Sequence, residues 1–272
     1  MQIKKSFPVW AFAGIGAAIA LSSQVSTGSA SAPVAAAAAK VQAAAAKAGP
    51  VARTVTAAAA VAATSPAAPA AIRFATPAAK AAVQVASEDA LRKQIKFESV
   101  KYAGKSIQTL DEESRLLLVQ AAAAKAGLHQ VGLTYHDVYG VIDAETSWIP
   151  RTGMGKNGVE SIGLAQFEPR TAKGLGLKDP NDPVQAVYFA AVNMKHGAEW
   201  AADRIAHLKL TPEERAAKLR EGVSVYYNLS VKGRNKWDGL NTAKLPIETQ
   251  RHIQNVREGR EEASELAQKL ST

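Results

Sequence analysis

The low side-chain bulk of its first 87 residues most strongly constrains how this 272-residue chain can fold. Alanine dominates residues 33–87, and prolines interrupt the tract repeatedly. Alanine favours helix, but so few large apolar side chains cannot bury enough surface to form a core. We therefore expect residues 33–87 to be a low-complexity linker and residues 88–272 to form one folded domain.

An apolar run near the N-terminus has the features of a secretory signal. Lys4 and Lys5 precede the run, which covers residues 7–21, and small residues follow it. About 15 apolar residues are fewer than the roughly 20 that span a bilayer as a helix. Residues 1–32 are therefore predicted to be a signal peptide, with an uncleaved membrane anchor as the alternative. Both forms predict a periplasmic or secreted protein.

The formal net charge of +9 predicts an anionic partner, such as nucleic acid, a membrane surface or an acidic wall polymer. Nucleic acid is the weakest of these, because aromatic residues make up only 6% of the chain, too few for a base-stacking platform. The absence of cysteine excludes disulfides and thiol nucleophiles, and the five histidines lack paired metal-ligand spacing. We expect no metal site and no cofactor.

Start and stop signals predict a mainly α domain. The predicted helices cover residues 111–126, 135–148, 183–207 and 212–228, with a last one from about residue 246. Asp182 and Thr211 each precede a proline, and Gln185 and Glu214 stand where capping-box partners belong. Glycines in the segment 153–167 predict at most a small β-hairpin there.

Glu145 is the chemically most informative residue of this domain. It lies near the end of a predicted helix that must stop before Pro150. Ile142, Val141 and Val138 precede it by three, four and seven positions and share its helix face. The carboxyl is therefore expected to point towards the core, where burial and the negative end of the helix dipole favour its protonated form. General-acid catalysis needs that form, whereas the alternative is a surface glutamate on a last helical turn.

Four short motifs occur in the order seen in a known family. They are E-T-S-W at residues 145–148, G-L-A-Q-F-E-P-R-T-A at 163–172, Y-Y-N at 226–228 and L-P-I-E-T-Q-R-H-I at 245–253. This pattern resembles the soluble lytic transglycosylases over about residues 118–257. The resemblance implies a lysozyme-like domain that cleaves the β-1,4 bond between N-acetylmuramic acid and N-acetylglucosamine in peptidoglycan, leaving a 1,6-anhydro product. Peptidoglycan strands are the implied partner, and the linker is also compatible with an envelope-spanning secretion or assembly machine.

The resemblance implies roles for individual residues. Glu145 matches the family's single catalytic carboxylate, which protonates the glycosidic oxygen and then takes a proton from the muramoyl C6 hydroxyl. Substrate-binding roles fall on Thr146, Gly163, Gln166, Tyr227, Asn228 and Glu248. In this scheme Gly163 lets the backbone approach the sugar closely, and Thr249 supports the groove beside Glu248.

Several positions depart from the family pattern and leave two alternatives open. Ala165 replaces a motif methionine, His252 stands where tyrosine is usual, and the glycine expected after Asn228 is absent. One alternative is therefore a non-catalytic peptidoglycan-binding protein. The other is a hydrolytic muramidase, because a second carboxylate from Glu160, at roughly 6.5–9.5 Å from Glu145, would activate a water molecule.

Overall fold

The computed structural model describes residues 87–155 and 158–272, so the predicted signal segment and nearly all of the predicted linker lie outside the described residues. The described helices are α1 Glu88–Gln94, α2 Glu112–Ala126, α3 Tyr135–Thr146, α4 Pro169–Leu175, α5 Pro183–Ile205, α6 Pro212–Asn228, α7 Val231–Arg234 and α8 Ile247–Leu270. The strands are β1 Phe97–Tyr102, β2 Lys105–Leu110, β3 Arg151–Met154 and β4 Glu160–Gly163. The mainly helical fold class is confirmed and is consistent with a lysozyme-like domain. Within the described part of the chain, no helix is long and apolar enough to span a membrane.

The long helices begin where local capping signals predicted them. Asp111 accepts a hydrogen bond from the Ser114 amide at the start of α2, and Thr211 and Glu214 form a complete capping box on α6. The capping box predicted at Asp182 is wrong. Asp182 does cap α5, but the side-chain oxygen of Gln185 accepts from the amides of the preceding loop at residues 178 and 179.

Two antiparallel hairpins occur in the described residues, where the sequence predicted at most one. The hairpin β3–β4 lies in the predicted segment and pairs Arg151 with Gly163. The hairpin β1–β2 was missed. Its strands are connected by Ala103 and Gly104, both at positive φ, as a two-residue type I′ turn requires.

Helix α3 lies at the centre of the core, packed by α2, α5 and α8. Val138, Val141 and Ile142 are fully buried, which confirms the predicted buried face. The crossing with α8 is very close, because a Cβ atom on Gly140 would lie 2.3 Å from the Val256 carbonyl oxygen. This crossing sets where the first half of α8 lies relative to the end of α3.

Candidate functional site

The backbone around Glu145 is fixed by the way α3 ends. Ser147 and Trp148 both adopt positive φ, at +50° and +61°, and the Trp148 side chain is fully buried. The Arg151 guanidinium donates hydrogen bonds to the carbonyls of Glu145, at 2.7 Å, and Thr146, at 2.9 Å. These carbonyls are among the last four of the helix, which have no partner inside it. The strained backbone at Ser147 and Trp148 and the Arg151 guanidinium thus fix the position of Glu145. Backbone strain of this kind is concentrated at functional sites in proteins.

The Glu145 carboxyl is largely buried, as the helix face predicted, with 17% of its side chain exposed. Its Oε1 lies 3.0 Å from Nε2 of His252 on α8. From the sequence, His252 is only a departure from the family pattern, and no role is predicted for it. The His252 side chain is 5% exposed, and its Nδ1 has no hydrogen-bond partner among the described residues.

Tyr227 on α6 completes this group. Its ring stacks at 6.4 Å from the ring of His252, with 15° between the planes, and its hydroxyl donates to the Ala165 carbonyl at 3.0 Å. Burial, together with the nearby charge of Glu145, raises the pKa of Tyr227 well above its usual value. Tyr227 is therefore neutral, and it donates its single hydroxyl hydrogen to the loop that follows β4.

Two polar residues assigned to substrate binding hold this loop in place, Thr146 against α3 and Gln166 against the β3–β4 hairpin. The Thr146 hydroxyl is buried and lies 3.0 Å from the Leu164 carbonyl oxygen. The Gln166 amide nitrogen donates to the carbonyls of Arg151 and Gly163, both at 2.8 Å. Both side chains therefore make internal bonds that shape the site, and their direct contact with a sugar stays a prediction.

Gly163 is required by the packing of the protein itself. Its φ is +77°, and a Cβ atom there would lie 2.0 Å from the Pro180 carbonyl oxygen. The close backbone approach at this position is therefore to Pro180, and an approach to the sugar stays a prediction.

The remaining assigned residues lie near the junction of α6 and α8. The Asn228 side-chain oxygen accepts a hydrogen bond of 2.8 Å from the Thr249 hydroxyl, and Thr249 is fully buried. Glu248 is half-buried beside Thr249 in the first turn of α8. Thr249 thus ties the end of α6 to the start of the helix that carries His252, which agrees with a supporting role.

Glu160 lies at the distal end of the β3–β4 hairpin. It pairs with Met154, whereas Arg151, which binds the Glu145 carbonyl, pairs with Gly163 at the other end. Three residues of strand place the Cα atom of Glu160 about 10 Å from that of Gly163. The Glu160 residue is exposed to solvent.

The chemistry available here is proton transfer by one carboxyl group. Oε1 of Glu145 is bound by His252, and Oε2 makes no hydrogen bond within the described residues. The exposed fraction of the side chain gives a reactant access to it. In the same described part of the chain, no cluster of three or more His, Asp or Glu side chains is arranged to hold a metal ion.

Comparison with known proteins gives one partial similarity. A stretch of 66 residues, 24% of the chain, is 38% identical to a transglycosylase of Enterobacteria phage PRD1. The chain spans about a quarter of the length of that relative. No protein-family model and no solved structure matches the chain. The similarity supports a transglycosylase-like family over the matched stretch.

Proposed function

We propose that this protein is a lytic transglycosylase that cleaves the β-1,4 bond between N-acetylmuramic acid and N-acetylglucosamine in peptidoglycan. The proposal rests mainly on the largely buried Glu145 carboxyl near the end of α3, whose Oε1 lies 3.0 Å from Nε2 of His252. The partial similarity to a phage transglycosylase supports the reaction class. The motif order supports the substrate.

In the proposed reaction Glu145 is both acid and base. Its protonated carboxyl gives a proton to the glycosidic oxygen as the bond to C1 of the muramoyl residue breaks. The sugar's own acetamido group stabilises the oxocarbenium-like centre. The Glu145 carboxylate then removes the proton of the C6 hydroxyl, whose oxygen bonds to C1 and closes the 1,6-anhydro ring. Glu145 is protonated again at the end, and no water is consumed.

The position of Glu160 favours this reaction over hydrolysis. Hydrolysis with inversion needs a second carboxylate that activates water across the scissile bond from the acid. Glu160 is exposed at the far end of the hairpin, while Arg151 at its near end binds the Glu145 carbonyl. A single-carboxylate mechanism fits that arrangement better.

A peptidoglycan-binding protein without turnover is the second candidate. The internal hydrogen bonds of Thr146 and Gln166 favour it, because they engage side chains that a substrate groove would present. For either candidate we propose a periplasmic or secreted protein that acts on the wall, in general turnover or as part of an envelope-spanning machine. The predicted signal at residues 1–32 supports export.

The test is mass spectrometry of the fragments that the protein releases from purified sacculi. Glu145→Gln keeps the size of the side chain and removes the exchangeable proton, so release should fall at least 100-fold. Glu160→Gln is the matched control, since it changes an exposed glutamate in the same way. Anhydro-muropeptides from the wild type and Glu160→Gln, but not from Glu145→Gln, are the expected result.

Other products identify the alternatives. Reducing-end muropeptides that disappear in Glu160→Gln would establish a hydrolytic muramidase. A folded protein that sediments with sacculi but releases no fragments would establish the binding protein and overturn the enzymatic proposal.

A further inference from the structure

The hydrogen positions on His252 follow from its surroundings. Nε2 faces Oε1 of Glu145 at 3.0 Å, and Nδ1 is buried without a hydrogen-bond partner among the described residues. A hydrogen on Nδ1 would be an unpaired buried donor, which is rare and costly in proteins. Both the Nδ1–H tautomer and the doubly protonated cation would carry that hydrogen. The neutral Nε2–H tautomer avoids it and makes His252 a donor to Glu145.

We propose that His252 is a positioning residue that holds Oε1 of Glu145 as a neutral Nε2–H donor and leaves Oε2 as the oxygen that exchanges the proton with the substrate. This inference rests on the function proposed above. It assigns the two oxygens of one carboxyl to different tasks.

The hydrogen bond becomes stronger at the point where catalysis needs it. While Glu145 is protonated on Oε2, His252 donates to an uncharged oxygen. As the proton leaves, the acceptor becomes an ionised carboxylate, and hydrogen bonds to ionised groups are roughly twice as strong as neutral ones. The bond therefore stabilises the transition state more than the ground state, which is the condition for raising turnover.

The other polar groups near Glu145 and His252 interact elsewhere. Tyr227, on α6, uses its one hydroxyl hydrogen on the Ala165 carbonyl. Arg151, on β3, donates to main-chain carbonyls at the end of α3. Asp143, two residues before Glu145, lies beside Gly259 farther along α8. Glu248 and Arg251, which precede His252 in the chain, have interactions of their own.

Two substitutions separate the hydrogen bond from ring packing. His252→Phe keeps a planar ring and removes the donor, while His252→Gln places an amide N–H near the position of Nε2. With purified sacculi as substrate, kcat should fall about 10- to 100-fold in His252→Phe with little change in KM, as expected for a lost hydrogen bond to a charged group. His252→Gln should recover most of that loss.

The pH profile gives a readout that packing alone would not change. A donor to the carboxylate favours the ionised form of Glu145, so its removal should let Glu145 keep its proton to higher pH. The alkaline limb of the profile should therefore move to higher pH in His252→Phe and return in His252→Gln. If kcat falls equally in both variants and the alkaline limb does not move, His252 acts only through packing and the proposal is refuted. A limb that moves to lower pH would show that Nε2 of His252 accepts the proton of a protonated Glu145 instead of donating to it, and would overturn the proposal.

Nitrogen-15 NMR of the wild-type protein tests the tautomer independently of activity and of the stability of any variant. The expected result is a proton on Nε2 and none on Nδ1 from pH 6 to pH 8. A protonated Nδ1 in that range would refute the inference, even if the protein released anhydro-muropeptides. The expected tautomer without any released fragments would instead show that the proposed function had failed.

Discussion

The crossing of α3 and α8 leads to a stability prediction for Gly140→Ala. The new Cβ would lie 2.3 Å from the Val256 carbonyl oxygen and 2.9 Å from Cγ of Arg260. The Arg260 side chain can move aside, but the carbonyl is helix backbone, so α8 must shift by about 1 Å to reach ordinary contact. Overpacking of this kind costs about 1–3 kcal/mol, and the better helix propensity of alanine offsets at most about 1 kcal/mol. A contact of 2.3 Å with helix backbone puts the cost near the upper end of that range, so we expect a net loss of about 2 kcal/mol.

The same shift should reach the candidate site. His252 is on the helix that must move, and its Nε2 lies 3.0 Å from Glu145. An added separation of about 1 Å would place Nε2 and Oε1 about 4 Å apart, which is beyond hydrogen-bond distance. Gly140→Ala should therefore lower the release of fragments from sacculi as well as the free energy of unfolding.

Urea unfolding followed by circular dichroism measures the stability effect. The matched control is Gly174→Ala on α4, where an added Cβ meets nothing within 4 Å. That control should leave stability unchanged or raise it by about 0.5–1 kcal/mol, because alanine is the better helix former. For a domain of this size, a loss of 2 kcal/mol lowers Tm by roughly 4–8 °C. If Gly140→Ala unfolds at the same urea concentration as Gly174→Ala, the close crossing is refuted.

Two further predictions concern single side chains. Thr146→Val leaves the Leu164 carbonyl without its 3.0 Å hydrogen bond and should cost about 1–3 kcal/mol in urea unfolding, whereas Thr146→Ser keeps the hydroxyl and should cost less. Burial raises the pKa of Tyr227 and Tyr139 in the folded protein, so the unfolded chain ionises first and the stability present below about pH 10 is lost as the pH rises further. Urea midpoints between pH 8 and pH 11 should fall less steeply in Tyr227→Phe, and equal slopes would contradict the burial of this hydroxyl.

Helix ends were predictable from the sequence because their signals are local. The Asp111 cap and the box formed by Thr211 and Glu214 lie within four residues of the helix starts that they define. The error at Gln185 has a tertiary cause. Its side chain could reach either the Asp182 amide or the loop before α5, and only the folded loop brings the amides of residues 178 and 179 to it.

The β1–β2 hairpin was missed because neither strand has a continuous buried face, and its only buried residues are Thr109 and Leu110 at the end of β2. Most residues of β1 are exposed, so apolar and polar residues do not alternate in a pattern that predicts a strand. The turn residues Ala103 and Gly104 gave a weak signal as well, since alanine rarely adopts the positive φ found here. A mostly exposed hairpin leaves little trace in a single sequence.

The partner of Glu145 was beyond local patterns, because His252 lies 107 residues away in the sequence. A signal for the pairing did exist. Gly140 and Gly259 stand inside helices, where glycine costs about 0.5–1 kcal/mol relative to alanine, and such residues indicate close contact with a neighbour. If those two glycines mark an antiparallel crossing, a rise of 1.5 Å per residue places Glu145 about 7.5 Å and His252 about 10.5 Å from it in the same direction. The two glycines thus set the helix register, and that register brings position 252, where the resembled family usually has tyrosine, next to the Glu145 carboxyl.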